Sequence, residues 1–142
     1  MEQSFGTEVT TQTFDIQFSR NKTVKLPEGK IDVVDVSPPI LGDTTPILLA
    51  PGWSENQDTY KKSLKVIFEE GRRGITVGYA RQGGKVEKHE TFPEAELRKA
   101  KQLLGIIEAK GIERVDCIFH SEGAVNGLIA TMLRPDLFRN IV

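Results

Sequence analysis

The sequence predicts an α/β protein: a mostly parallel β-sheet with helices on both faces. Three observations carry this. Short apolar runs without alternation, Ile47-Leu48-Leu49, ITVGYA at 75–80 and VDCIF at 115–119, suit strands buried on both faces. Between them lie segments with apolar residues at helical spacing. Strand and helix therefore alternate, and strands joined by helical crossovers pair in parallel.

The elements follow in order. In TFDIQF, Phe14, Ile16 and Phe18 alternate with Asp15 and Gln17, a period of two that predicts a half-buried strand. Asn21-Lys22 and Pro27-Glu28-Gly29 are turn material. KIDVVDV, Lys30 to Val36, is rich in β-branched residues and predicts a second strand, ended by Ser37-Pro38-Pro39 and Gly42-Asp43. The run Ile47-Leu48-Leu49 closes at Pro51-Gly52. Tyr60, Leu64, Ile67 and Phe68 then form one helical stripe, with Lys61, Lys62, Lys65 and Glu69 opposite on a solvated face. Asn56 or Asp58 is expected to cap this helix at its start and Gly71 at its end.

After ITVGYA comes the polar loop RQGGKVEKHE. Thr91-Phe92-Pro93-Glu94 fits a capping box with Pro in the first turn. The helix it opens carries Leu97, Ala100, Leu103, Leu104 and Ile107 on one stripe and ends at Lys110-Gly111. VDCIF is followed by Glu122 to Leu133, nearly all small or apolar, which predicts a central helix buried all round and ended by Pro135. Phe138 to Val142 opens a further strand.

Composition narrows the function classes. Nineteen Lys and Arg face twenty Asp and Glu, a net charge of −1, which points neither to nucleic acid nor to an anionic membrane. The polar start MEQSFGTEVTTQ does not read as a signal peptide, and no apolar run reaches membrane-span length. Cys117 is the single cysteine and sits inside an apolar run, so a buried, reduced thiol and a cytoplasmic location are expected. No metal-ligand spacing is present, and RQGG lacks a phosphate-loop pattern, so neither metal nor cofactor is expected.

The chemistry centres on His120-Ser121-Glu122-Gly123-Ala124, between a buried strand and a buried helix. A sharp strand-to-helix turn lifts a Ser hydroxyl clear of the sheet and sets helix N–H groups beside it, where developing negative charge is favoured. Such a turn needs small residues two before and two after the Ser: Gly123 meets this and Phe119 does not. Plain helix capping by Ser121 is the alternative. His89 in its charged loop reads as solvated, and Arg81 with Gly83-Gly84 as a tight loop at the sheet's C-terminal edge.

From about Phe14 to its end the chain resembles the α/β-hydrolase family. The carriers are ILLAPGW, YARQGG, FHSEGA and LRPDLFRNIV, in that order. LLAPGW is similar to the family's strand and His-Gly loop, with Pro51 where His is usual; HSEGA is similar to the G-x-S-x-G elbow, with Phe119 in place of the first Gly. The resemblance implies Ser121 as nucleophile, with the backbone N–H groups of Glu122 and of Trp53 or Ser54 as oxyanion donors. It also implies a structural rather than basic role for His120, and a Glu122 side chain directed to solvent or paired locally.

The resemblance further implies a downstream Asp or Glu and then a His, and neither is expected within these residues. Residues 1–142 are therefore expected to be the N-terminal part of a single α/β-hydrolase domain, incomplete at the C-terminus and with little triad-dependent activity alone. The implied function is hydrolysis of an ester, thioester or amide of a small-molecule acyl substrate through an acyl-enzyme. The alternative, favoured by Phe119 and Pro51, is a non-catalytic ligand-binding or interaction protein of the same fold. Self-association through the unfinished sheet edge is a further expectation.

Overall fold

The computed structural model describes residues 2–79 and 90–142, with side chains from residue 8 onward. Ala80, Arg81, the Gly83-Gly84 pair and His89 lie outside the described residues.

The chain opens with helix α1 (Glu2–Ser19), where alternation predicts a strand. The residues fit a helix as well, because Phe14 and Phe18 are four apart and share a helical face. Phe14 is fully buried against Phe68, with ring centroids 5.5 Å apart. Ile16, which a strand would bury beside them, is 53% exposed. Gln17 fastens the helix by donating to the Ser37 carbonyl at 2.8 Å and accepting from the Ser37 N–H at 2.6 Å.

Six strands form one sheet: β1 (Lys22–Leu26), β2 (Gly29–Val36), β3 (Ile47–Ala50), β4 (Gly74–Tyr79), β5 (Val115–Phe119) and β6 (Phe138–Ile141). Their order is β1-β2-β4-β3-β5-β6. The pairings β1–β2 and β2–β4 are antiparallel; β4–β3, β3–β5 and β5–β6 are parallel. β1 falls between the turn segments Asn21-Lys22 and Pro27-Glu28-Gly29, where the sequence predicts no strand. Its Val24 and Leu26 are partly buried, and Thr23 donates to Asp32 Oδ1 at 2.5 Å.

Helices cover both faces, as expected. α1 and α2 (Lys61–Glu69) enclose Phe14, Val34, Val36, Leu49, Leu64 and Phe68 on one side. α3 (Phe92–Ala109) and α4 (Glu122–Leu133) cover the other, over a larger core that includes Ile31, Val33, Leu48, Ile75, Val77 and Cys117. Alternate residues of β2 and β3 serve opposite layers, which explains their near-continuous apolar runs.

The capping box of α3 forms as the sequence predicts: Thr91 Oγ1 accepts from the Glu94 N–H and Glu94 reaches back to the Thr91 N–H. Gly71 ends α2 at φ 80°, a conformation suited to Gly. The start of α2 differs. Its N-cap is Tyr60 with no side-chain cap bond, because Asn56 and Asp58 are used within the preceding turn, where Asn56 Oδ1 accepts from the Asp58 N–H. Leu97 is exposed rather than on the buried stripe of α3, since Glu96 and Lys99 occupy the inward positions instead.

α4 also differs from expectation. Only Gly123, Asn126, Gly127 and Ala130 are buried, while Val125, Leu128 and Leu133 are exposed and Met132 is 81% exposed. Its small residues and Ile129 face α3 and the sheet, while Val125, Leu128, Met132 and Leu133 face outward. No helix among the described residues is long and apolar enough to cross a membrane.

Candidate active site

The C-terminal ends of β3 and β5 lie side by side, and the turns leaving them meet. The His120 N–H donates to the Ala50 carbonyl at 3.2 Å, joining the two turns at their base. A Cβ placed on Gly52 would stand 3.2 Å from Ser121 Cβ and 3.4 Å from His120 Nδ1. The loop carrying Trp53 and the turn carrying Ser121 are thus brought together.

Ser121 has φ 53° and ψ −122° and is the one non-glycine residue with positive φ among the described residues. An L-residue held there stores roughly 1–3 kcal/mol of strain. The Ser121 side chain is exposed and makes no cap bond to the helix it precedes. Ser121→Gly is accordingly expected to raise stability by about 1 kcal/mol, because Gly accepts this backbone without strain. Urea unfolding checks this; an unchanged or lower midpoint contradicts it.

The two residues flanking the turn show how it is accommodated. A Cβ on Gly123 would run into the carbonyl oxygens of Ala50 and Pro51, so this position must lack one. Phe119 stands where a small residue is usual, and its ring lies over Gly127 of α4, where an added Cβ would come within 2.7 Å of it. The space that the strand side of the turn does not leave is made on the helix.

Trp53 is half exposed. Neither its N–H nor that of Glu122 meets a hydrogen-bond acceptor among the described residues. Glu122 begins α4, where the first N–H groups have no acceptor within the helix.

Two carboxylate groups support this arrangement that sequence reasoning leaves unassigned. Glu55 Oε1 accepts the Gly52 N–H at 3.1 Å and lies 2.6 Å from His120 Nδ1. Burial opposes charge on Glu55, but the Tyr60 hydroxyl, His120 and the Gly52 N–H outweigh it and hold the carboxyl below its ordinary range. The Tyr60 hydroxyl is pushed well up by burial and by the facing Glu55. His120, 63% exposed, is therefore tethered through Nδ1 and packs edge-on against Tyr60.

The second group lies behind the elbow. The Glu122 side chain is only 9% exposed and meets Lys99 Nζ at 2.5 Å, rather than turning to solvent or pairing locally. Lys99 also lies 3.6 Å from Glu96, whose Oε2 accepts from Asn126 Nδ2 at 3.2 Å. Asn126 Oδ1 in turn accepts from the Tyr79 hydroxyl at 3.1 Å. Burial, and then the neighbouring Glu122, push the Glu96 carboxyl up to about 7. Glu96 Oε1, which faces Lys99 at 3.6 Å, accepts no hydrogen bond and is buried. Sequence periodicity marks Glu96 and Lys99 as inward only if charge is ignored, which is why reading by polarity misses them.

Several solved structures share this architecture. A probable hydrolytic enzyme from Pseudomonas aeruginosa is 20% identical with a TM-score of 0.68, the match covering 86% of this chain and 39% of that one. An epoxide hydrolase from an endophytic Streptomyces is 21% identical with a TM-score of 0.68, covering 85% and 35%. An epoxide hydrolase from Vigna radiata is 16% identical with a TM-score of 0.67, covering 86% and 38%. No protein-family model matches the sequence, and no curated protein matches it. The chain has the α/β-hydrolase fold and spans well under half the length of these structures. Within that fold, the turn at Ser121 joins the end of β5 to the start of α4.

Proposed function

We propose that Ser121 is the nucleophile of a hydrolase acting on an ester, thioester or amide through an acyl-enzyme. The observation that carries the proposal is the Ser121 backbone at φ 53° and ψ −122°. A Ser that merely caps a helix takes extended backbone and lends its oxygen to the first-turn N–H groups; Ser121 does neither. Strain kept at one exposed hydroxyl between converging loops has a purpose in catalysis and none in capping.

In this proposal the N–H groups of Glu122 and Trp53 receive the oxyanion of the tetrahedral intermediate, and loss of one donor costs roughly a hundred- to a thousand-fold in rate. The activating His and its acid are placed outside these 142 residues, in the chain order nucleophile, acid, base. Acyl transfer to an acceptor other than water would use the same parts.

Two of the similar structures are epoxide hydrolases by name. Chemistry separates that substrate class from the one proposed. A Ser oxygen that opens an epoxide forms an ether, which water does not release under enzymatic conditions. A Ser oxygen that attacks an acyl carbon forms an ester, which water cleaves. Ser121 therefore fits acyl substrates.

Incubation with p-nitrophenyl acetate and, separately, with styrene oxide tests the proposal. The expected result is slow p-nitrophenol release, at most one equivalent per chain because the activating His is not in it, absent in Ser121→Ala, with the epoxide untouched. Equal ester cleavage by Ser121→Ala, or epoxide opening that depends on Ser121, would overturn it.

A further inference from the structure

We propose that Lys99 is a positioning residue for the reaction at Ser121, one that ties the two oxyanion donors into a single unit. The proposal rests on Ser121 being the nucleophile and on the N–H groups of Trp53 and Glu122 serving as its donors.

Those donors belong to different elements. Trp53 sits on the loop after β3, and Glu122 is the first residue of α4. An oxyanion hole works only if its donors are pre-aimed to a fraction of an ångström. The backbone bond from the His120 N–H to the Ala50 carbonyl holds the bases of the two turns, not the donors themselves.

Lys99 spans the gap. Its Nζ lies 2.5 Å from Glu122 Oε1 and 5.2 Å from the centroid of the Trp53 ring. The Tyr79 ring stands on another side, with its centroid 5.5 Å away. The Lys99 side chain is completely buried. Removing an ammonium from water costs several kcal/mol unless it is well paired. A shared location between the carboxylates of Glu122 and Glu96 and two aromatic faces supplies that pairing. A Lys needed only for packing would be replaced by Met or Leu at no such cost.

The groups facing Lys99 fix its geometry further. Glu96 lies 3.6 Å away on the same helix, and Asn126 binds Glu96 Oε2 and the Glu122 carbonyl through Nδ2. The Glu122 residue is thus held at its side chain by Lys99 and at its carbonyl by Asn126. Its N–H is the remaining group and meets no acceptor among the described residues. Rotation of Glu122 would break the buried ion pair, and displacement of the Trp53 loop would uncover the ammonium.

The test uses backbone amide NMR signals together with the rate at which a fluorophosphonate labels Ser121, in wild type, Lys99→Met, Lys99→Arg and Glu122→Gln. Exposed Lys65→Met is the control. In Lys99→Met the Trp53 and Glu122 amide signals are both expected to move and labelling to slow at least tenfold. Lys99→Arg should recover part of the rate, and Lys65→Met should change nothing. Should Lys99→Met fail to fold, Glu122→Gln keeps the shape, drops the charge and is expected to show the same slowing. Labelling of a folded Lys99→Met or Glu122→Gln at the wild-type rate overturns the proposal, as does movement of only one amide. Wild type that never labels at Ser121 overturns the nucleophile assignment itself and the purpose of the tie with it, so the two failures are distinct.

Discussion

Gly123→Ala is expected to destabilise the protein by about 3 kcal/mol, the upper range for forcing an extra methyl into packed structure. Local propensity argues the other way, since Ala is the better helix former by about 1 kcal/mol. Contact decides: the new Cβ would meet the carbonyl oxygens of Ala50 and Pro51, which are backbone and cannot rotate aside. The helix must retreat from the end of β3, and the Glu122 N–H retreats with it. Urea unfolding should show the lost stability, and labelling of Ser121 should slow. A stabilised Gly123→Ala would mean that the close approach of α4 to β3 is not as described.

Gly127 and Phe119 are expected to be energetically coupled by more than 1 kcal/mol, the size usual for residues in direct contact. Gly127→Ala alone is expected to destabilise by about 1–2 kcal/mol through collision with the Phe119 ring. With Phe119→Ala already in place, the same change should become neutral or stabilising by up to about 1 kcal/mol, because the helix then gains propensity with no ring to meet. A double-mutant cycle by denaturant unfolding reads the change of sign. Additive effects would show that Phe119 does not use the space over Gly127. The result bears on function. Phe119 favours a non-catalytic protein only if it spoils the turn, and the pairing with Gly127 is how the turn accommodates it.

The strands and helices from Gly29 onward were legible because their signals are redundant. The capping box at Thr91 and Glu94, the Gly71 stop and the apolar runs at β3, β4 and β5 each agree with their neighbours. The first helix was not, because three apolar residues at spacing two also contain a pair at spacing four. Only the partner surface, Phe68 on α2, chooses between them. In α4 the composition is apolar nearly all round, but Gly123, Asn126, Gly127 and Ala130 take the closest positions, so Val125, Leu128, Met132 and Leu133 face outward.

Ser121 and its turn could be read from the change of pattern at Phe119-His120. Its supports could not. Glu55 reaches His120 across 65 residues, and Lys99 reaches Glu122 across 23. Charged residues on an otherwise apolar stripe look like surface until a partner is seen. Pro51 in place of a His leaves no sequence sign that Glu55 occupies the space beside Gly52.

The most direct measurement is peptide mapping by mass spectrometry after reaction of the 142-residue chain with a fluorophosphonate. The expected result is slow phosphonylation of Ser121, absent in Ser121→Ala and in heat-unfolded chain, since without the activating His only the strained turn and its two N–H donors favour reaction at that hydroxyl. An unmodified Ser121, or the same labelling in the unfolded chain, would contradict the assignment of Ser121 as nucleophile.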